Sequence, residues 1–479
     1  MVTSDRRKWL ALALLSAVQF MVVLDIAIVN VALPSIKIDL GFSQEDLQWV
    51  ISAYALFFGG FLLLGGRAAD VLGRRRIFLV GIVLFTVSSL FAGLAWSEGS
   101  LIGARAFQGL GAAIISPAAL SILSTTFAEG RERNIALGVW GAVGGFGAAA
   151  GVLLGGVLTD ALSWEWIFFV NIPVGVAAFV LTPFLLTESR DARVKTFDVP
   201  GAVLVTGGLS SLVYAITQAG RDGWLAGQTL GFFAASLVLL VGFVAWELRH
   251  PEPLMRLGIL RIKTVSGANV AGFIMGTALF AMFLMLTLYM QQVLGYSAMK
   301  TGIAYLAVAG TAIFTSAIAA QLVTRIGVKP ALLIGMTTLT GGLVYFTQVS
   351  VGGSYLGDLL PGFLLIAVGI GFSFVPISIA ALAGVEAAEA GLASGLINTS
   401  QQIGGALGIA ALSTIATSRT DSAVASGSSH AVALVDGFHG AFVAGAVIAG
   451  LGIVAALTLI RRDELEQVEH VEPALDLVA

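Results

Sequence analysis

Long apolar runs divide almost the whole chain, and they constrain its fold more than any other feature. A helix needs about 20 mostly apolar residues to cross the hydrocarbon core of a bilayer, and it satisfies its backbone hydrogen bonds within one segment. The pattern therefore predicts an all-α membrane protein with fourteen transmembrane helices. The runs lie at 9–33, 47–66, 77–96, 101–125, 135–159, 166–187, 198–217, 227–247, 266–290, 301–323, 331–349, 356–382, 391–415 and 438–460.

The composition agrees with lipid as the solvent. Of 479 residues, 57% are hydrophobic and 11% are charged, whereas soluble domains carry about 25% charged residues. The 59 glycines favour close helix packing in a membrane. The absence of cysteine excludes disulfides, thiol catalysis and iron–sulfur clusters. The net charge of −3 gives no reason to expect a nucleic-acid partner.

Lysine and arginine are distributed unevenly between the two sides of the predicted membrane domain. Twenty of the 25 lie in loops on one side, four lie on the other, and Arg105 falls within a span. Short cytoplasmic loops are enriched in these residues. We therefore expect a multi-pass protein of the cell membrane (inner or plasma membrane) with both termini in the cytoplasm.

Two short patterns recur at a nearly constant offset. The loop Gly73–Arg76, with Gly81 after it, is echoed 254 residues later by Gly327–Pro330 and Gly335. Gly–basic loops also recur by chance, but the duplication is the better interpretation. Transporters built from repeats bind substrate between them.

The second pattern is a Gly-x-Gly pair that precedes a proline within a span. Gly109 and Gly111 lead to Pro117, and Gly369 and Gly371 follow about 260 residues later, before Pro376. Together the echoes predict two six-helix halves, with two inserted helices between them. The predicted domains are residues 1–190, the inserted helices and linkers at 191–263, residues 264–462, and an acidic cytoplasmic tail at 463–479.

One acid and one base stand alone in the predicted spans. Asp25 is the only deep acidic residue and Arg105 the only basic one. An ionised group in hydrocarbon is costly, so such a residue is a functional candidate, and Asp25 is the candidate for binding and releasing a proton. At 1.5 Å per residue, both lie about 24 Å from the cytoplasmic ends of their spans, so they are able to pair. The alternative is a static buried pair.

Four stretches resemble the major facilitator superfamily, specifically its 14-span drug:proton antiporter branch (the EmrB/QacA type). They are Leu24–Pro34, Gly66–Arg75, Arg105–Gly111 and Trp164–Pro173. The resemblance covers nearly the whole chain. It implies the major facilitator fold, proton-coupled transport and a part for Arg105 in handling the proton.

The resemblance also assigns a gating role to the loop after the second span. It implies that Asp70 belongs to a charge network that latches the two halves on the cytoplasmic side. For the arginines, the alternative is that they only anchor the loop in the cytoplasm. The residues of this predicted gating loop are Gly66, Asp70, Gly73, Arg74 and Arg75.

The fifth span carries glycines where the family's antiporter motif belongs, namely Gly147, Gly151, Gly155 and Gly156. A four-residue spacing puts glycines on one helix face, where another helix is able to approach closely. Val152 stands where the family usually has proline, and this departure weakens the prediction of antiport. Val71 and Glu165 also replace residues that are basic in the family pattern.

Polar and amphipathic residues within or near the ends of the spans are candidates for lining a substrate cavity. The alternative is that they only bond neighbouring helices. The candidates are Tyr54, Asn30, Gln108, Asn269, Tyr289, Gln292, Asn398 and Gln402.

Several chemistries leave no trace in the sequence. There is no Gly-x-x-x-x-Gly-Lys-Ser/Thr loop for direct use of ATP, no strong metal-binding spacing and no Ser/His/Asp arrangement within the membrane. We therefore expect no enzyme activity, no metal and no cofactor.

The sequence favours a proton-coupled multidrug or small-molecule exporter that works by alternating access. Its expected partners are a hydrophobic or amphipathic small molecule, protons and the lipid bilayer, and we expect a monomer. The alternative is a proton symporter or facilitator that takes up a small metabolite. A membrane sensor or intramembrane enzyme is a third hypothesis, but no large soluble segment and no nucleophile–base set favours it.

Overall fold

The computed structural model describes residues 4–43, 45–127, 131–190, 198–251, 253–385 and 390–460. All regular structure in these ranges is helical, which confirms the predicted fold class. The helices are α1 (Ser4–Leu40), α2 (Trp49–Leu72), α3 (Arg74–Gly93), α4 (Glu98–Thr126), α5 (Arg131–Ala161), α6 (Trp166–Phe169), α7 (Asn171–Leu185), α8 (Val199–Asp222), α9 (Gly227–Glu247), α10 (Lys263–Leu288), α11 (Ala298–Ile326), α12 (Val328–Phe346), α13 (Leu360–Leu382), α14 (Ala390–Ala425) and α15 (His430–Leu459).

Three short helical segments complete the architecture. A 3₁₀ turn at Leu257–Arg261 precedes α10, a π-helical turn at Tyr289–Val293 extends α10, and another at Tyr355–Leu359 leads into α13. The predicted tail at 463–479 lies outside the described residues.

Twelve helical segments in the described residues are long and apolar enough to cross a membrane, with α6 and α7 together forming one of them. The other two predicted spans, 135–159 and 391–415, fall within α5 and α14. In α5 the apolar part found is the shorter segment Phe146–Ala161. The described residues therefore contain twelve candidate spans, and the count of fourteen stays a prediction.

The two echoed loops are tight turns between consecutive helices. Gly73 joins α2 to α3 with φ of 111°, and Gly327 joins α11 to α12 with φ of 84°. Positive φ is readily adopted by glycine but costly for residues with a side chain. The backbone conformation of these turns therefore explains why glycine recurs at both positions.

The Gly-x-Gly echo also has matching contacts. A Cβ built on Gly111 of α4 would lie 2.7 Å from the backbone nitrogen of Phe85 in α3, and one on Gly369 of α13 would lie 2.8 Å from that of Leu339 in α12. Phe85 and Leu339 are themselves 254 residues apart. The second glycine of the first pair and the first glycine of the second pair thus let α3–α4 and α12–α13 approach closely at the backbone.

The helices pack as two groups, α1–α7 and α10–α15, with α8 and α9 beside them. Helix α8 contacts both groups. Gln48 before α2 donates to Thr217 of α8 at 2.9 Å, and Thr414 of α14 donates to the Ile216 carbonyl at 3.3 Å. The inserted pair therefore covers the seam between α2 and α14.

We call the face that bears the Gly73–Arg76 turn the basic face, and the other the opposite face. At the opposite face the backbone N–H of Met299 donates to Asp160 at 2.9 Å, and Gln291 donates to the Val31 carbonyl at 2.8 Å. Both bonds join the two groups, so the groups are closed against each other at this face.

Candidate functional site

A buried ion pair joins α1 to α4. Arg105 Nη1 lies 2.6 Å from Asp25 Oδ2, and the two side chains are 1% and 0% exposed. The structure thus brings together the two charges that the depth argument matched. A buried pair is tolerated only when further hydrogen bonds satisfy its remaining lone pairs and protons, and the neighbouring side chains supply them.

Asp25 is surrounded by amide donors. Its Oδ1 accepts from Gln108 Nε2 at 2.7 Å and from Asn171 Nδ2 at 2.9 Å. Gln108 also donates to Ser89 Oγ at 2.7 Å. Side chains of α4 and α7 therefore bond the α1 carboxylate directly, and Ser89 of α3 joins the network by accepting from Gln108 and from Asn171.

Arg105 is tied to α2 as well as to Asp25. Its Nε donates to the Val50 carbonyl at 2.9 Å, and its guanidinium lies 4.3 Å from the centre of the Tyr54 ring, within the range of cation–π attraction. The arginine is therefore the element through which a change at Asp25 is able to reach α2.

Local sequence explains this convergence. Arg105 and Gln108 are three residues apart on α4, so both face the same direction. Gly109 has no room for a side chain because a Cβ there would collide with the Tyr54 carbonyl of α2. Sequence reasoning did not assign Ser89 or Asn171 to the site. Asn171 stood in the motif that opens the sixth span, whereas nothing in the sequence pointed to Ser89.

The predicted gating loop is held within the first helix group. Asp70 pairs with Arg74 at 2.9 Å, and Gly66 packs near the ring of Pro117. The contacts do not test the predicted latch between halves.

An unpredicted residue, Glu188, caps α3 beside this loop. It accepts from the backbone N–H groups of Arg75 at 3.1 Å and Arg76 at 3.2 Å, and it abuts Gly73. A carboxylate at a helix N-terminus is favourable because it satisfies free N–H groups and complements the helix dipole.

The α5 glycines divide between two neighbours. Added Cβ atoms would lie 3.3 Å from the Phe20 carbonyl at Gly147, 2.8 Å from the Leu24 carbonyl at Gly151 and 2.6 Å from the Ile28 carbonyl at Gly155. All three contacts are with α1.

Gly156 faces α11 instead. A Cβ there would lie 2.6 Å from the Ala298 carbonyl. Gly302 of α11 is equally close to α5, since its Cβ would lie 2.6 Å from the Val152 carbonyl. The glycine set therefore serves one contact within the first group and one between the groups.

The predicted cavity residues do not form one surface. Tyr54 and Gln108 belong to the buried charge site. Asn30 donates to the Ile26 carbonyl of its own helix at 3.1 Å. Tyr289 is buried and donates to the Ser350 carbonyl at 2.7 Å.

The remaining four candidates lie in the second group. Asn269 accepts from Ser400 at 2.8 Å, and Asn398 is exposed. Gln402 is buried, its Nε2 lacks a partner, and a Cβ on Gly59 of α2 would lie 3.0 Å from its Cβ.

Gln292 lines a cavity of about 160 Å³ at the opposite face. Polar and charged side chains from both groups share its wall. They include Lys37, Glu45, Gln48, Asp421 and His430.

Comparison with known proteins identifies the family. The model of the Major Facilitator Superfamily matches residues 15–409. The puromycin resistance protein of Streptomyces alboniger is 41% identical over 457 residues, covering 95% of this chain and 91% of the relative. The cephamycin export protein of Amycolatopsis lactamdurans is 39% identical over 469 residues, covering 97% and 95%. The tetracenomycin C resistance and export protein of Streptomyces glaucescens is 35% identical over 414 residues, covering 86% and 77%.

Solved structures share the fold. An inward-facing bacterial homologue of the human lysosomal transporter Spinster has a TM-score of 0.66 at 15% identity, covering 95% of this chain and 98% of that one. A peptide transporter bound to sulfate has a TM-score of 0.67 at 15% identity, covering 94% and 93%. The family that the motifs indicated is therefore confirmed: the chain belongs to the Major Facilitator Superfamily, and it is a membrane transporter.

Proposed function

We propose that this chain is a proton-coupled exporter of hydrophobic or amphipathic small molecules that works by alternating access. The observation that carries the proposal is the buried Asp25–Arg105 pair in a chain of this superfamily. Relatives named for puromycin resistance, cephamycin export and tetracenomycin C export support a drug-like substrate and the drug:proton antiporter branch.

A proton on Asp25 would act as the switch. Neutral Asp25 no longer attracts the Arg105 guanidinium, so the electrostatic link between α1 and α4 weakens. Arg105 keeps its hydrogen bond to Val50 and its contact with the Tyr54 ring. A movement of Arg105 away from Asp25 would therefore change the packing of α2 against α1. A ligand shifts a conformational equilibrium only by binding one state better than the other, and a proton on Asp25 does so by removing this pair.

The membrane arrangement belongs to the same proposal. The basic face is cytoplasmic, as are both termini, and the protein lies in the plasma or inner membrane as a monomer. Helices α5 and α14 also cross, which gives fourteen spans, because each packs between helices that span. The halves are residues 1–190 and 264–462, with 191–263 inserted between them.

The direction of opening follows from that arrangement. The bonds from Met299 to Asp160 and from Gln291 to Val31 support an outward-closed state. Substrate enters between the halves from the cytoplasm or inner leaflet. It leaves when the opposite face opens and Asp25 takes up an external proton.

Uptake by proton symport or facilitated transport is the second candidate function. Val152 favours it, because the family's antiporter motif usually has proline there. The same ion pair would serve proton-driven uptake.

Transport of puromycin into inside-out membrane vesicles tests the proposal. With an imposed proton gradient, wild type accumulates puromycin and Asp25→Asn does not. Asp46→Asn is the matched control, since Asp46 pairs with Arg221 in partial contact with solvent, and it retains accumulation. Full proton-driven accumulation by Asp25→Asn rules out the coupling role. Puromycin loss from loaded vesicles under the same gradient favours uptake instead.

A further inference from the structure

A second pair of ionisable groups is buried at the basic face, away from Asp25. Asp198 immediately precedes α8 and Glu247 ends α9, and their side chains are 1% and 4% exposed. The two carboxyl groups lie side by side against Gly201. Asp198 Oδ2 and Glu247 Oε1 both lie within 2.5 Å of the point where a Cβ of Gly201 would stand, so a side chain at that position would collide with both.

The contact between these two oxygens lacks a donor. Neither Asp198 Oδ2 nor Glu247 Oε1 has a hydrogen-bond partner, although each faces the other. Two ionised carboxylates only accept hydrogen bonds, and like charges held together in a buried site cannot both stay ionised. An unpartnered buried acceptor is costly. One proton between the oxygens removes both difficulties.

The other oxygens are already occupied. Asp198 Oδ1 accepts from the Gly201 backbone N–H at 2.9 Å and from Trp246 Nε1 at 2.8 Å. Glu247 Oε2 accepts from the Met255 backbone N–H at 2.9 Å. The two oxygens that lack a hydrogen-bond donor are therefore the two that face each other.

We propose that Asp198 and Glu247 form a proton-binding site in which one proton bridges the two carboxyl groups. The proton is held covalently by Glu247 and donated to Asp198 Oδ2. Burial alone would raise the pKa of Asp198, but the hydrogen bonds from Gly201 and Trp246 hold that pKa below its ordinary value. Asp198 is thus the ionised partner.

The surroundings favour a proton over a metal ion. Within the described ranges no group of three or more histidine, cysteine, aspartate or glutamate side chains is placed to hold a metal. Ala202, Phe243 and Leu254 form the apolar core beside the pair, and the facing side chains of α2 are apolar too. A further titratable group lies nearby: His250 stacks on Trp246 and interacts electrostatically with Asp198.

The site fastens the inserted helices to the segment that enters the second group. Met255 lies between α9 and α10, and its N–H is held by Glu247. Removing the proton sets two negative charges against each other, which loosens α8, α9 and this connection together. The stabilisation is therefore present while the proton is bound and lost as the pH rises.

Infrared spectroscopy of the full-length protein in lipid nanodiscs tests the assignment. Spectra of wild type, Glu247→Gln, Asp198→Asn and the control Asp46→Asn are compared at neutral pH in H₂O and D₂O. The wild-type minus Glu247→Gln difference should contain the carbonyl stretch of one protonated carboxyl group, shifted by deuterium. Asp198→Asn should lose the same band, because its amide then donates to an ionised Glu247. Asp46→Asn should lose only carboxylate bands.

Thermal unfolding supplies a second readout. Raising the pH should lower the Tm of wild type more than that of Glu247→Gln, whose amide donates to Asp198 at every pH. Glu247→Ala should be less stable than Glu247→Gln at neutral pH.

If Glu247→Gln fails to fold, Asp198→Asn still reports the infrared band of the protonated carboxyl group. Loss of carboxylate bands alone in the variants that fold would overturn the proposal, because both groups would then be ionised, as around a bound metal cation.

Discussion

The guanidinium of Arg105 joins two helices at once: its Nη1 lies 2.6 Å from Asp25 Oδ2 of α1, and its Nε lies 2.9 Å from the Val50 carbonyl of α2. The arginine cannot be neutralised by losing its proton in a protein, whereas the aspartate is able to gain one. Any change of charge at this site must therefore occur at Asp25.

The first prediction concerns the loss of stability when Arg105 stays charged without its partner carboxylate. Asp25→Asn should lower the free energy of unfolding by about 3–5 kcal/mol, because an unpaired buried charge remains. The double variant Asp25→Asn with Arg105→Gln should recover part of this loss, since no charge is then buried. Denaturant unfolding in mixed micelles measures both. Equal stability of wild type and Asp25→Asn would show that the pair contributes nothing.

The second prediction concerns Asn171, which donates to Asp25. Asn171→Ala should cost about 1.5–3 kcal/mol, the range for hydrogen bonds to charged groups. Asn398→Ala is the matched control, because Asn398 is exposed and its side chain donates to the Ser394 carbonyl of its own helix. A surface change of that kind stays within about 0.5 kcal/mol. Similar losses for the two variants would contradict a specific role for Asn171.

A third prediction follows from the contact of Gly156 with Ala298. Gly156→Leu should separate α5 from α11 at the opposite face and favour the state open on that side. The chain has no cysteine, so Asp160→Cys with Met299→Cys gives a clean cross-linking pair. Cross-linking should fall several-fold in Gly156→Leu.

Gly103→Leu is the control for that experiment, because nothing lies within 4 Å of a Cβ at Gly103. It should cross-link as efficiently as the parent pair. Undiminished cross-linking in Gly156→Leu would mean that this contact does not hold the face closed.

The fourth prediction concerns the cap of α3. Glu188→Gln keeps an acceptor for the Arg75 and Arg76 N–H groups but removes the charge that their guanidinium groups approach at 3.9 Å and 3.7 Å. The variant should be less stable by about 0.3–1 kcal/mol, the range for a charge near a helix end. The difference should shrink at high salt, as measured by thermal unfolding. A loss that does not change with salt would contradict the electrostatic account.

Much of the fold was predictable because lipid imposes it. Span length follows from bilayer thickness, and loop charge follows from the side of the membrane on which a loop lies. Neither depends on a partner helix, and twelve of the predicted spans are long and apolar enough to cross a membrane. The pairing of Asp25 with Arg105 was also predictable, since the depth of a residue along a helix is set by residue count alone.

The rest depends on how each helix is turned about its axis. In membrane helices that are apolar on all sides, hydropathy does not set this rotation, and close packing does. Asn171 reaches Asp25, and Ser89 reaches Gln108, for that reason, whereas Asn30 turns toward its own backbone. Glu188 and Glu247 were missed because their partners are backbone N–H groups and a second carboxyl group at helix ends, whose placement depends on the loops.

Proton release on substrate binding tests the central claim most directly. Purified protein in weakly buffered detergent solution is titrated with puromycin, and released protons are followed with a pH indicator for wild type, Asp25→Asn and Asp46→Asn. Competition between substrate and proton at Asp25 predicts release from wild type and Asp46→Asn, and none from Asp25→Asn that still binds puromycin. Equal binding to all three proteins with no proton released from wild type would contradict the account.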